Sequence, residues 1–205
     1  MKVIALNGSP KPKGNTYLAL KTVCDELEQK NIETEIINIG NMELKGCISC
    51  GRCSEGHCHF SDDKFREIVE KVYAADGVLL GSPVYYASIA GTMKSFLDRL
   101  FYPSQGRMRL KVGASVVVCR RSGGVTTFDQ LNNYFLISEM MVAPSYYWNA
   151  VHGRIPGEIS EDAEGICGLK NLAGNMAWML NMKEYSKDAF PQPQPYPRDW
   201  TNFVR

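Results

Sequence analysis

The chain has 205 residues, 44% of them hydrophobic and 22% charged, and its formal net charge is +1. This composition is typical of one globular domain with a sizeable core, and the balanced charge excludes a strong field for nucleic acid or an anionic membrane. The first predicted strand begins at Val3, which leaves no room for a signal peptide, and no apolar run approaches the length of a membrane span. We therefore expect a cytoplasmic protein whose seven cysteines are thiols or metal ligands rather than disulfides.

The chain opens with a predicted strand, turn and helix. The apolar run over 3–6 is typical of a buried parallel strand, and it stops at Gly8-Ser9-Pro10. An amphipathic helix is predicted over 17–29, so the turn leads into a helix N-terminus, where unpaired N–H groups and the helix dipole attract an anion. The turn has neither the dinucleotide-binding spacing nor the Walker spacing. It predicts a monophosphate site, with an ordinary capped turn as the alternative; the candidate binding residues are Ser9, Lys11, Asn15 and Thr16.

Strands and helices alternate through the rest of the chain. Strands are predicted where β-branched and other apolar residues run together or alternate, and helices where apolar residues recur every three or four positions. Ser61 is the predicted N-cap of the second helix. The predicted elements are strand 33–39, helix 62–75, strand 77–83, helix 89–101, strand 112–119, helix 126–138, strand 140–147 and helix 163–180.

This alternation predicts an α/β fold, namely a doubly wound, five-stranded parallel sheet of order 2-1-3-4-5 in a three-layer αβα arrangement, as in flavodoxin. In such a sheet, ligands bind outside the carboxyl ends of the strands. Turns follow the first, third and fourth strands at that edge, so we expect them to converge on one ligand. The second turn offers amides and aromatic faces, and the third offers glycines that permit close backbone approach. The candidate residues are Pro83, Val84, Tyr85 and Tyr86, then Ser122, Gly123 and Gly124.

A loop dense in cysteine follows the second strand, over residues 46–59. Cys47, Cys50, Cys53 and Cys58 are spaced by three, three and five positions. Four thiolates are the ligand set of a 4Fe-4S cluster, and a tightly wound loop would present them to one cubane. Zinc is the main alternative, bound by four thiolates or by three with a histidine of the same loop, and free thiols are the other. We expect the loop to lie beside the carboxyl end of the first strand, near the phosphate site.

Two sets of motifs resemble a known family. The segments Asn7-Gly8-Ser9-Pro10, Gly14-Asn15-Thr16 and Gly81-Ser82-Pro83-Val84-Tyr85 resemble the NADPH-dependent FMN reductase superfamily of flavodoxin-fold proteins. Within it, the cysteine loop resembles that of the iron-sulfur flavoproteins, which carry FMN and a 4Fe-4S cluster. The resemblance implies that the first turn contacts the FMN phosphate and that the second and third turns contact the ring. It also implies homodimers or homotetramers, with the cluster loop near a flavin across a subunit interface.

These observations predict an FMN-dependent oxidoreductase or electron-transfer flavoprotein in which the flavin performs the redox chemistry. The three histidines give little support for acid–base catalysis, so no catalytic side chain is assigned. As an enzyme, the protein takes electrons from NAD(P)H and passes them to a small-molecule acceptor. As a carrier, it passes single electrons between ferredoxin and a partner without a substrate of its own. A zinc-stapled ligand-binding module is the non-redox alternative.

The predicted flavodoxin-like domain spans 1–182, and a proline-rich C-terminal arm spans 183–205. Prolines alternate with polar residues over 191–197, a composition that stays extended and solvated. Trp200 and Phe203 follow, and aromatic residues along an extended arm more often bury on another surface. We expect either a solvated tail or an arm that packs on a neighbouring subunit.

Overall fold

The computed structural model describes residues 1–197, 199, 201 and 203. Strands and helices alternate along them as predicted. The strands are β1 (Lys2–Asn7), β2 (Glu33–Asn38), β3 (Gly77–Pro83), β4 (Val112–Cys119), β5 (Met141–Val142) and β6 (Ala150–His152). The helices are α1 (Asn15–Glu28), α2 (Asp63–Ala74), α3 (Gly91–Phe101), α4 (Gly124–Ile137) and α5 (Ala163–Ser186), with a 3-10 turn at Glu158–Glu161.

The strands form one parallel sheet in the order β2-β1-β3-β4-β5, and β6 pairs with β4. This confirms the predicted flavodoxin-like class and strand order. The register pairs Asn7 with Gly81 and Pro83 with Val118. Because these residues lie within two positions of the carboxyl ends of their strands, the turns after β1, β3 and β4 all leave the sheet at the same edge.

The fifth position of the sheet differs from the single strand predicted over 140–147. β5 pairs with the start of β4 and β6 with its end, so two short strands share the position. Pro144 follows β5 closely and has no N–H to continue the ladder. Asn149 holds the chain next to β4 before β6 begins. Its side-chain Nδ2 donates to Ser115 O at 3.0 Å, and its backbone carbonyl accepts from Val117 N at 2.9 Å.

Apolar side chains fill two cores, one on each face of the sheet. α1 and α5 cover one face, where Leu20 and Met176 lie in the same buried cluster. α2, α3 and α4 cover the other, with Phe65, Phe96 and Phe135 among its fully buried side chains. The ring centroids of Phe65 and Phe96 are 4.7 Å apart. The three-layer αβα arrangement is therefore confirmed.

Two helix ends differ from the sequence prediction. α2 is capped by Asp62 rather than Ser61, since Asp62 Oδ1 accepts from Phe65 N at 2.7 Å. A carboxylate at this position satisfies an unpaired N–H and also favours the positive end of the helix dipole. α5 continues to Ser186, so the extended part of the predicted arm begins after it.

The described part of the arm has no regular secondary structure over 191–197. Tyr196 and Phe203 are both exposed, at 92% and 93%. Trp200 lies outside the described residues. Across the residues that the structure describes, no helix combines the length and the apolar character needed to cross a membrane.

Candidate functional site

The turn between β1 and α1 has the donors that a phosphate group needs. Ser9 and Thr16 are buried, at 5% and 2% exposure. Gly14 caps α1 without a side-chain hydrogen bond, so no capping side chain occupies the first N–H groups of the helix. Ser9 Oγ accepts from Lys11 N at 3.1 Å, which leaves its O–H available to donate. Helix dipole, backbone amides and a hydroxyl therefore meet at one turn.

Two glycines allow this turn to sit close to its neighbours. A Cβ on Gly8 would lie 2.3 Å from Met93 Sδ of α3, and a Cβ on Gly40 would lie 2.1 Å from Ser9 O. Only residues without a side chain tolerate such approaches. Gly8 N also donates to Gly81 O at 2.8 Å, which ties the turn to β3. Met93 is a predicted core residue of its helix, but its contact with Gly8 and that of Gly40 with Ser9 were not predicted, because the partners are distant in the chain.

Asn15 links the phosphate turn to the loop that follows β6. Its Nδ2 donates to Ile155 O at 2.8 Å, and its Oδ1 accepts from Gly157 N at 2.7 Å. Each polar atom of the side chain thus makes one bond to the protein, and Nδ2 keeps a second N–H that can donate. The phosphate contact that the resemblance implies for the Asn15 side chain stays a prediction. Lys11 is exposed beside the turn.

The second turn, between β3 and α3, is a tight reversal. Tyr85 N donates to Ser88 O at 2.9 Å, and Ser88 N donates to Tyr85 O at 3.0 Å. Between them, Tyr86 and Ala87 have φ values of 52° and 56°. Residues other than glycine adopt this left-handed region only at an energetic cost. Backbone strain of this kind concentrates at ligand sites. Tyr86 is fully exposed and Tyr85 is 46% exposed, so both rings are available to a ligand.

The third turn, between β4 and α4, packs directly on the second. Gly123 has a φ of 85°, and a Cβ on it would lie 3.0 Å from Ala87 Cα and 3.1 Å from Val84 Cγ1. Gly123 caps α4 without a side-chain hydrogen bond, so a second set of free helix N–H groups faces this edge. Ser122 is exposed next to it, and Gly124 begins the helix. The structure therefore brings Val84, Tyr85, Tyr86 and the third turn together, as the sequence predicts.

The four cysteines of the loop line one small pocket, whose free volume is about 20 Å³. Burial, followed by the charges of the neighbouring Cys58, Cys50 and Cys47, raises the pKa of Cys53. Ser49 and Glu55 have φ values of 51° and 50°, which shows how tightly the loop is wound. The loop supplies four thiolates from one side of the molecule, which fits a 4Fe-4S cluster in number and kind.

No group of three or more His, Cys, Asp and Glu side chains has metal-binding geometry among residues 1–197, 199, 201 and 203. This finding is compatible with thiols that a metal would draw together, since such ligands become ordered as the metal binds. The sequence prediction of four cysteine ligands is therefore supported by their shared pocket alone.

The thiols lie farther from the carboxyl edge than predicted from the sequence. α3 begins at that edge with Gly91 and runs back across the sheet, because β3 and β4 are parallel neighbours. Arg99, which contacts Cys58, lies more than two turns along α3, a distance of about 12 Å at 1.5 Å per residue. Gly40, six positions before the loop, lies beside the phosphate turn.

Residues 1–154 match the protein family described as NADPH-dependent FMN reductase. The chain is 37% identical over 191 residues to an iron-sulfur flavoprotein of Methanocaldococcus jannaschii, and the matched region covers 89% of this chain and 98% of that protein. It is 33% identical over 168 residues to an iron-sulfur flavoprotein of Archaeoglobus fulgidus, with coverage of 80% and 83%. The fold is similar to that of RosB with a bound formylriboflavin phosphate intermediate, with a TM-score of 0.70, 14% identity and coverage of 100% and 92%. The chain thus belongs to the NADPH-dependent FMN reductase family and is an FMN-dependent oxidoreductase.

Proposed function

We propose that this protein is an iron-sulfur flavoprotein, which binds FMN at the three turns and one 4Fe-4S cluster at Cys47, Cys50, Cys53 and Cys58. The observation that carries the proposal is the combination of two sites in one chain. Three turns with phosphate- and ring-binding groups leave the sheet at one edge, and four thiols line a single pocket. The names of the relatives in M. jannaschii and A. fulgidus support the same pairing of cofactors.

At the flavin site, the protein supplies binding and orientation. The N-terminus of α1 with Ser9 and Thr16 holds the phosphate, and exposed Lys11 adds a favourable charge. The turns at 83–86 and 122–124 hold the ring, because their backbone amides and the exposed faces of Tyr85 and Tyr86 lie at the same edge. Bound FMN supplies hydride and single-electron chemistry that no side chain offers.

At the cluster site, the chain supplies four sulfur ligands and a partly buried surrounding. We call the edge of the sheet that carries the turns after β1, β3 and β4 the flavin edge. The thiols lie at the end of α3 that is remote from the flavin edge of the same chain. This separation supports an assembly in which the cysteine loop of one subunit approaches the flavin of another, as the resemblance implies for a homodimer or homotetramer. In this proposal the protein acts in the cytoplasm, where thiols stay reduced.

The family description supports a nicotinamide nucleotide as electron donor, with a small molecule as acceptor. The presence of a cluster would favour the alternative role as an electron carrier, because clusters exchange single electrons with ferredoxin-like partners. The two are separated by mixing anaerobic holoprotein with NADPH, NADH or reduced ferredoxin and following the visible absorbance of the flavin. Rapid bleaching by NAD(P)H and steady turnover with a quinone establish the enzyme.

If reduced ferredoxin bleaches the flavin and NAD(P)H does not, the protein is an electron carrier. A colourless protein that takes up no flavin on titration contradicts both, and it leaves a zinc-stapled binding module as the remaining candidate.

A further inference from the structure

One buried cation contacts the cysteine loop. Arg99 of α3 is 5% exposed, and its Nε lies 3.3 Å from Cys58 Sγ. Its Nη1 donates to Lys45 O at 3.1 Å, and its Nη2 donates to Phe60 O at 2.8 Å. The guanidinium carbon lies 4.4 Å from the ring centroid of Phe65. Because arginine is almost never this buried unless it is paired, these contacts are the reason that the charge is tolerated here.

Arg99 bonds residues on both sides of the cysteine loop. Lys45 comes before the first cysteine and Phe60 comes after the last, so one guanidinium bonds both ends of the loop and one of its thiols. The planar fork of arginine presents its donors in fixed directions, and the ring of Phe65 fixes the plane of the fork. A lysine carries the same charge on a single nitrogen and cannot make these three bonds in the same directions.

We propose that Arg99 positions the cysteine loop. Arg99 holds the two ends of the loop together and donates an N–H···S hydrogen bond that raises the reduction potential of the cluster. The proposal rests on the proposed function, because only a bound cluster has a potential to set. Hydrogen bonds to the sulfurs and net charge are among the factors that set such potentials. A fixed cation that donates to a ligand sulfur favours the reduced state, since that state carries more negative charge.

Arg107 provides a matched control on the same loop. Its Nη2 donates to Glu55 O at 3.0 Å, and its guanidinium carbon lies 5.0 Å from the ring centroid of Tyr73. It is therefore an arginine that bonds the loop backbone and stacks on an aromatic ring, as Arg99 does. It differs in that it contacts the tip of the loop rather than a cysteine, and its side chain is 41% exposed.

The test compares Arg99→Gln, Arg99→Lys and Arg107→Gln with the wild type in two measurements. The first is an anaerobic redox titration of the cluster followed by electron paramagnetic resonance. We expect Arg99→Gln to lower the ratio of reduced to oxidised cluster at a fixed potential by about tenfold, which corresponds to about 59 mV for a one-electron couple. Arg99→Lys gives a smaller shift in the same direction, and Arg107→Gln leaves the potential unchanged.

The second measurement is amide hydrogen exchange over residues 45–60 in metal-free protein. Both Arg99 variants are expected to accelerate exchange in this segment and to leave the sheet unchanged. An unchanged potential in an Arg99 variant with full iron content overturns the N–H···S bond, and unchanged exchange overturns the closure of the loop. If Arg99→Gln loses its iron, Arg99→Lys carries the potential test. Wild-type protein without iron and sulfide defeats the proposed cluster and its potential, whereas the exchange result still decides whether Arg99 closes the loop.

Discussion

The flavin edge and the cysteine loop are held in place by different parts of the structure. The three turns of the flavin edge continue directly from β1, β3 and β4, and backbone contacts such as Gly8 N to Gly81 O fix their relative positions. The backbone of the cysteine loop makes local bonds, in a short bridge between Ser54 and His57 and in a turn from Ser61 N to Cys58 O, and side chains such as Arg99 tie the loop to the rest of the fold. Its four thiols converge on a pocket without a sheet to align them.

This difference predicts how each site responds to the loss of its cofactor. The flavin edge is built from the same contacts that build the sheet, so it exists before FMN binds. In the proposed holoprotein, the cluster orders the cysteine loop in part, because metal binding and local folding are coupled. Loss of the cluster is therefore expected to loosen residues 45–60 and to leave the flavin site intact.

The largest effect is expected from removing one cysteine of the pocket. Cys50→Ser should abolish the cluster while FMN content stays at the wild-type level, because the two sites share no ligands. Iron and acid-labile sulfide analysis and the fluorescence of released FMN check this. Cys167→Ser is the control, since Cys167 is exposed and lies on α5, outside the loop. Equal iron content in the two variants contradicts the assignment of the loop as the cluster site.

A smaller but still large effect is expected from adding a methyl group beside the phosphate turn. Gly40→Ala places a Cβ against the backbone of Ser9, which cannot rotate away, so the turn has to move. Overpacking of this kind costs about 1–3 kcal/mol of stability, and displacing the turn adds a loss of FMN affinity greater than that of Ser9→Ala.

Gly91→Ala is the matched control for this change. A Cβ on Gly91 meets nothing within 4 Å, and alanine favours the helix. Fluorescence titration with FMN and urea denaturation measure both effects. Equal FMN affinity in the two alanine variants shows that the turn after β1 is not the phosphate site.

Single hydroxyl deletions should weaken FMN binding without disturbing the cluster. Ser9→Ala and Thr16→Ala are each expected to cost about 1–3 kcal/mol of FMN binding energy, the range for a hydrogen bond to a charged group. Thr22→Ala removes a hydroxyl from the same helix that bonds Leu18 O at 3.0 Å, and it should leave the FMN affinity unchanged. Calorimetric titration distinguishes the three variants. If both Ser9→Ala and Thr16→Ala bind FMN like Thr22→Ala, the phosphate lies elsewhere.

The smallest effect concerns the strained turn at Tyr86 and Ala87. Ala87→Gly should raise the free energy of unfolding of cofactor-free protein by about 1 kcal/mol or less, because glycine adopts a positive φ without steric cost. Ala87→Val should lower it, since a β-branched residue is least tolerated there. Urea denaturation gives both values. Shifts of the same sign in the two variants contradict the left-handed turn.

The flavin edge was predictable from the sequence because its determinants are local. The continuous valine-rich run over 112–119 and the glycine-bounded run over 77–83 are strands with the predicted bounds. Each run stops at residues that form a turn, and parallel strands place those turns at one edge. The last strand is shorter than the predicted 140–147, and the second short strand, Ala150–His152, was missed because its pairing with β4 depends on a register that three residues do not specify.

The grouping of the four thiols was predictable from the sequence, but the place of the cysteine loop was not. Residue spacing identifies four sulfur donors, yet Ser49 and Glu55 adopt left-handed conformations that their residue types do not indicate. Arg99 lies next to the buried face of α3, and its partner Cys58 is 41 positions away in an irregular loop. No periodic pattern links such a pair. This is why the sequence placed the thiols near the flavin edge, whereas the structure places them along α3.

The central claim is that one chain carries both an FMN site and a four-thiolate cluster site. Quantifying FMN, iron, zinc and acid-labile sulfide in the same sample of anaerobically purified protein tests it most directly. We predict about one FMN with about four iron and four sulfide per chain, the stoichiometry of a 4Fe-4S flavoprotein. One zinc without sulfide, or a chain that retains no FMN, contradicts the claim.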